Sequence, residues 1–125
     1  MRVLSIVPNL PTSDPAALAQ FYWQIFDLDV LHDMGWITFL AGPLPAEGPQ
    51  RPGLQLATEG GAGTDLPALS ISVDDLDEIL QRLSKAGHEP VYGPVVESWG
   101  IRRFFLRDPA GNLVNVATHQ VSLEP

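Results

Sequence analysis

Trp36 and Trp99, the adjacent Arg102 and Arg103, and Glu97 just ahead of them are the side chains best suited to hold a ligand. Indole rings stack on planar groups and attract cations through their faces. Neighbouring residues on a strand point to opposite faces, so only one of the two arginines can enter a given cleft. There it would grip a carboxylate or phosphate bidentately, and the other would pair at the surface with Glu97 or an aspartate. Glu97 itself suits a cationic ligand. Phe39, Phe104 and Phe105 lie in strand-like runs, and Phe104 is expected beside the tryptophans. Gln55 and Asn115 add neutral amides that accept and donate hydrogen bonds. Trp36, Trp99, Phe104, Arg102, Gln55 and Asn115 form the expected ligand-binding set.

Reactive chemistry is harder to find. His32, His88 and His119 are scattered, and cysteine is absent, which removes thiolate nucleophiles and Cys-based zinc sites. His119 has a side chain that titrates near neutral pH, but its place past the last strand reads as solvent-exposed. No Ser-His-Asp order, phosphate-cradling glycine loop or paired-carboxylate spacing stands out. No catalytic residue, metal ligand or cofactor is therefore assigned.

These side chains need elements to position them, and an internal repeat supplies the plan. Leu4-Ser5-Ile6 recurs as Leu69-Ser70-Ile71, Trp36 to Leu40 has a looser counterpart in Trp99 to Leu106, and Leu56-Ala57-Thr58 matches Val116-Ala117-Thr118. The spacing is roughly 60 residues. In the first copy, residues 3–7 read as a strand broken by Asn9-Leu10-Pro11-Thr12-Ser13. Asp14 and Pro15 then open a helix whose Leu18, Phe21, Tyr22 and Ile25 recur at helical spacing. Tyr22 and Trp23 are expected to pack that helix on a sheet. Residues 28–32, 36–40 and 54–56 read as strands, and the segment 42–53, with four prolines, reads as a loop.

The second copy is clearer. Residues 69–73 alternate apolar and serine, Asp74 is expected to cap a helix with Leu76, Ile79, Leu80 and Leu83, and Gly87 follows it as a C′ glycine. Residues 88–95, 101–106 and 113–117 read as strands, the last two joined by the tight turn Asp108-Pro109-Ala110-Gly111-Asn112. The reading is βαβββ twice: module one over about 2–59, a linker over about 60–65 and module two over about 66–119, within one 125-residue domain.

Composition narrows the partners. Fifteen acids against seven bases leave a net charge of −8, which disfavours phosphate backbones and favours cationic ligands. Residues 1–14 contain no long apolar run, so neither a signal peptide nor a membrane span is expected there, and a cytoplasmic protein is the expectation.

At the Asp14…Phe21-Tyr22 start, the Val73-Asp74-Asp75-Leu76 helix entry, Trp99-Gly100 before Arg103-Phe104-Phe105, and the Arg107-Asp108-Pro109-Ala110-Gly111-Asn112-Leu113 turn, the chain resembles the vicinal oxygen chelate superfamily. That superfamily includes glyoxalase I, extradiol dioxygenases and bleomycin-binding resistance proteins. The resemblance implies an α+β fold in which two tandem βαβββ modules form a curved mixed sheet around a cleft. It also implies a homodimer. Metal-dependent relatives draw one His, Glu or Gln ligand from each of four strands, and those positions fall on Val7, Gln55, Ala68 and Asn115. Two of these cannot coordinate, and two neutral amides bind a hard divalent ion poorly.

The resemblance therefore points toward the metal-free bleomycin-resistance-like members, which sequester a cationic glycopeptide drug by stacking aromatic side chains on its planar tail. Small-molecule binding, without nucleic acid or membrane partners, is the expected function. The alternative is a divalent-metal lyase, isomerase or dioxygenase, with ligands such as Gln55, His32 or His119.

Overall fold

The computed structural model describes residues 1–42 and 52–119. Its elements run β1 (Val3–Pro11), α1 (Pro15–Phe26), β2 (Asp29–Asp33), β3 (Ile37–Ala41), β4 (Gly53–Ala57), β5 (Leu69–Val73), α2 (Leu76–Lys85), β6 (Tyr92–Val96), β7 (Ile101–Arg107) and β8 (Leu113–His119). The order is βαβββ twice, and the chain is α+β as expected. Most of the proline-rich segment 42–53 lies outside the described residues.

The chain forms two compact units that divide inside β1: Val7–Ala68 is the first, and Met1–Ile6 with the chain from Leu69 onward is the second. In the first unit β1 runs parallel to β4, β4 antiparallel to β3, and β3 antiparallel to β2. The second unit repeats the scheme, with β5 parallel to β8, β8 antiparallel to β7, and β7 antiparallel to β6.

Strand β1 does not stop where the sequence suggested. It continues through Asn9-Leu10-Pro11, because Leu10 packs into the core and the backbone pairs with Gln55, Leu56 and Ala57. The Asn9 N–H is satisfied by the Ala68 carbonyl at 3.0 Å. A proline ends a strand only where its missing N–H is needed, and Pro11 is the last residue of this one.

Helix α1 begins as the sequence dictates: the Asp14 carboxylate accepts the Ala17 N–H, with Pro15 in the first turn. Its buried stripe is shifted, however. Pro15 and Ala19 are buried and Leu18 and Tyr22 half-buried, whereas Phe21, Trp23 and Ile25 are each at least 50% exposed. The positions 15, 18, 19 and 22 lie on one helical face, and Trp23 lies off it. The expectation that Trp23 packs on the sheet is thus corrected. The core beneath α1 is Ala19, Leu40 and Leu56, joined by Leu10, Leu18, Tyr22, Leu28 and Leu54.

Helix α2 is capped by Asp75, not Asp74: the Asp75 carboxylate accepts the Glu78 N–H at 3.1 Å. Asp74 instead accepts the Arg2 N–H at 2.7 Å and donates its own N–H to the Arg2 carbonyl, fastening the start of the chain to the second unit. Asp77 and Glu78 in the first turn and Arg82 and Lys85 in the last complement the helix dipole. Gly87, with φ +82°, ends the helix as expected, and the His88 N–H reaches back to the Leu83 carbonyl. Beneath α2 lie Val73, Leu76, Phe104, Val114 and Val116, with Leu69, Ile71, Ile79, Leu80, Leu83 and Leu106 around them. Full burial of each large apolar side chain here contributes about 1.5–3 kcal/mol.

Candidate functional site

The face of each sheet turned away from its helix carries the polar and aromatic side chains, because the helix-facing positions are taken by the apolar cores. Strand register fixes which residues share a row. In the second unit one row is Tyr92, Phe105, Asn115 and Ser70, and the next is Val95, Arg103, Ala117 and Ser72. In the first unit the corresponding rows are His32, Phe39, Gln55 and Asn9, then Ile37, Ala57 and Pro11.

The two modules therefore match row by row, and the match differs from the one suggested by sequence. Asn9, not Ser5, is the counterpart of Ser70, since each lies opposite the amide of its parallel partner, Gln55 or Asn115. Trp36, just ahead of Ile37, corresponds to Arg102 and not to Trp99. Sequence similarity misled here because the apolar triplets of β1 and β5 look alike whatever their register.

Asn9 lies opposite Gln55 and Ser70 opposite Asn115, each two residues along the chain from the positions Val7 and Ala68 expected from the resemblance. These directly opposed pairs, Asn9 with Gln55 and Ser70 with Asn115, are neutral. The Asn115 amide donates to the Ser70 hydroxyl at 3.0 Å, so this pair is engaged with itself. Among the described residues no group of three or more His, Cys, Asp or Glu gathers to hold a metal ion. Neutral amides and a hydroxyl lack the anionic or imidazole donors a divalent ion requires, so these residues do not fit one.

The most organised constellation is in the second unit, around Arg103. The Arg103 Nε donates to Glu97 Oε2 at 2.6 Å, with both side chains almost fully buried. The Tyr92 hydroxyl donates to the same carboxylate oxygen at 2.7 Å. The guanidinium carbon lies 4.7 Å from the Phe105 ring centre, 5.1 Å from that of Trp99 and 5.4 Å from that of Tyr92. Three aromatic faces and one carboxylate thus enclose a single cation. Burial, followed by the hydrogen bond to anionic Glu97, raises the Tyr92 phenol above its ordinary pKa.

Local backbone geometry delivers these groups. Glu97 donates its N–H to the Ile101 carbonyl at 2.7 Å and accepts the Gly100 N–H at 3.0 Å, closing the turn that carries Trp99. Gly100 supplies the left-handed backbone, φ +87°, that this turn needs. Gly93, at φ +76°, lets β6 approach β7; a Cβ there would lie 2.7 Å from the Arg103 carbonyl oxygen.

The expected ligand-binding residues part company in this frame. Phe104 is fully buried in the core beneath α2, and Phe105 takes the opposite face. Arg102 also points to the helix side, where it meets Asp77 of α2 at 2.9 Å. It is Arg103 that enters the aromatic face. Trp99 and Asn115 are both on that side of the second unit, and the Oδ1 atom of Asn115 is buried without a hydrogen-bond partner. Trp36 and Gln55 belong to the first unit, where Phe39 neighbours Gln55 and the His32 ring lies 5.9 Å from that of Phe39. His88 and His119 are exposed.

Tyr92, Phe105 and the Glu97–Arg103 pairing were not singled out from sequence as a group. The alternation Arg102, Phe104, Leu106 against Arg103, Phe105, Arg107 held the needed signal. Phe104 and Leu106 make the first set the apolar one, which sends Arg103 to the other face.

This architecture, two βαβββ modules with polar and aromatic rows opposite their helices, matches a known family. Residues 3–116 match the family model of the Glyoxalase/Bleomycin resistance protein/Dioxygenase superfamily, and the chain belongs to that superfamily. It is 26% identical over 121 residues to a bleomycin resistance protein of Klebsiella pneumoniae, covering 91% of each chain. A superfamily member from Vibrio splendidus 12B01 has a similar fold, with a TM-score of 0.64 at 15% identity over 94% of this chain and 99% of that one. Methylmalonyl-CoA epimerase of Streptomyces coelicolor also does, with a TM-score of 0.66 at 20% identity over 100% and 99% of the two chains.

Proposed function

We propose that this protein is a metal-independent, cytoplasmic homodimer that binds and sequesters a small molecule carrying a planar aromatic group. The observation that carries this reading is the chemistry of the four positions where the resemblance expects metal ligands. There Val7 and Ala68 are apolar and Gln55 and Asn115 neutral, while Phe39, Phe105, Tyr92 and Trp99 lie on the sheet faces turned away from the helices. Aromatic faces bind planar groups by stacking, without any ion. The net charge of −8 supports a cationic ligand, and the likeness to a bleomycin resistance protein supports bleomycin as the first probe.

Self-association is supported by large apolar side chains left on the surface of each unit, among them Ile6, Val91 and Val96 in the second and Phe21, Trp23 and Ile25 in the first.

The test is a bleomycin titration followed by tryptophan fluorescence and by melting temperature, run with and without chelator. Saturable quenching with a raised Tm, indifferent to chelator, is the expected result. Near-stoichiometric Zn, Ni, Mn or Fe in protein purified without chelator would overturn the metal-independent reading. Sedimentation equilibrium checks the dimer.

A further inference from the structure

Arg103 and Glu97 form an ion pair in which both side chains are about 95% buried, on the side of the sheet opposite α2. A buried pair is seldom the cheapest way to fill a core, since apolar side chains of similar volume commonly do as well or better. This chain contains the comparison itself. At the matching position of the first module stands Ile37, buried and paired with Ala57 just as Arg103 is paired with Ala117. An apolar residue therefore satisfies the fold at this point, and the charge in the second module calls for another reason.

The reason lies in what the pair touches. Trp99 sits in the turn between β6 and β7, outside regular structure, and is only partly buried. Its indole rests on the guanidinium, 5.1 Å from ring centre to carbon. The guanidinium is fixed in turn by Glu97, which belongs to the same turn and is held by Tyr92 from β6. A loop indole without such backing samples several rotamers and loses that freedom when a ligand stacks on it.

We propose that Arg103 and Glu97 are positioning residues that hold the Trp99 indole as a preformed platform for a planar aromatic group of the ligand. The inference rests on the binding function proposed above and assigns that function to the second unit's aromatic face. Arg103 suits the role because its planar, permanently charged guanidinium can stack on a ring and pair with a carboxylate at once.

The test uses the full chain labelled with 5-fluorotryptophan, whose three tryptophans give three fluorine resonances, with bleomycin as the probe. Trp99→Phe assigns the signal. Arg103→Met is expected to shift and broaden the Trp99 resonance, to leave that of Trp23 in place, and to weaken bleomycin binding about tenfold. Arg103→Lys keeps the charge without the planar stack and should fall between. Should Arg103→Met fail to fold, Arg103→Lys and Glu97→Gln carry the same comparison. A lowered Tm with the Trp99 resonance and bleomycin affinity unchanged would mean a purely structural pair and overturn the proposal. If the wild-type protein ignores bleomycin, the binding reading fails for that probe. The Trp99 resonance then still decides whether the pair positions the indole.

Discussion

Phe104 and Phe105 are neighbours in sequence with opposite fates. Phe104 is sealed beneath α2, so Phe104→Ala should cost about 3–5 kcal/mol in denaturant unfolding by opening a cavity among Val73, Leu76 and Val116. A loss near 1 kcal/mol would mean that the core collapses around the gap. Asp108 offers a pH-dependent counterpart. The Asn112 side chain and backbone, then the Ala110 and Gly111 backbone, hold its carboxylate below the ordinary aspartate pKa. A depressed carboxyl pKa stabilises the fold above the unfolded value and loses that effect as pH falls through the folded one. The Tm advantage of wild type over Asp108→Asn should therefore be full at neutral pH and shrink as pH drops through and below the ordinary aspartate range. An advantage independent of pH would assign the effect to turn geometry alone.

At the level of elements, capping decides which of two adjacent aspartates matters to α2. Asp75 accepts the Glu78 N–H, and Asp74 ties down Arg2. Asp75→Ala should remove about 0.5–2 kcal/mol of stability through the helix end. Asp74→Ala should instead speed amide exchange near Arg2 while leaving exchange in α2 close to wild type. Equal exchange in α2 for both variants would contradict the separate roles. The sequence marked a helix entry here from Val73-Asp74-Asp75-Leu76, but adjacent caps differ only in which carboxylate meets the third N–H. Composition does not encode that choice. Strand β1 shows the same limit: Asn9-Leu10-Pro11-Thr12-Ser13 suggested a break, and the parallel partner β4 carried the strand on to Pro11.

For the molecule as a whole, charge is the property most open to measurement. With a net charge of −8, attraction for a cationic ligand should weaken as salt shortens the Debye length from about 10 Å at 0.1 M to about 3 Å at 1 M. Bleomycin affinity is expected to fall steadily across that range in isothermal titration. A salt-independent affinity would assign binding to stacking alone.

The sequence by itself determined the α+β class, the doubled βαβββ order, the Asp14 cap and the Gly87 stop, because periodicity, caps and turns are local properties of the chain. The positions where the resemblance expects metal ligands, Val7, Gln55, Ala68 and Asn115, carry no carboxylate or imidazole in the sequence itself. Tertiary structure alone decided that Tyr92 and Phe105 share a row beside Arg103, and that Asn9 answers to Ser70. Those outcomes depend on strand register. A shift of one residue turns every side chain to the other face, and register is settled by cross-strand pairing between residues far apart in the chain.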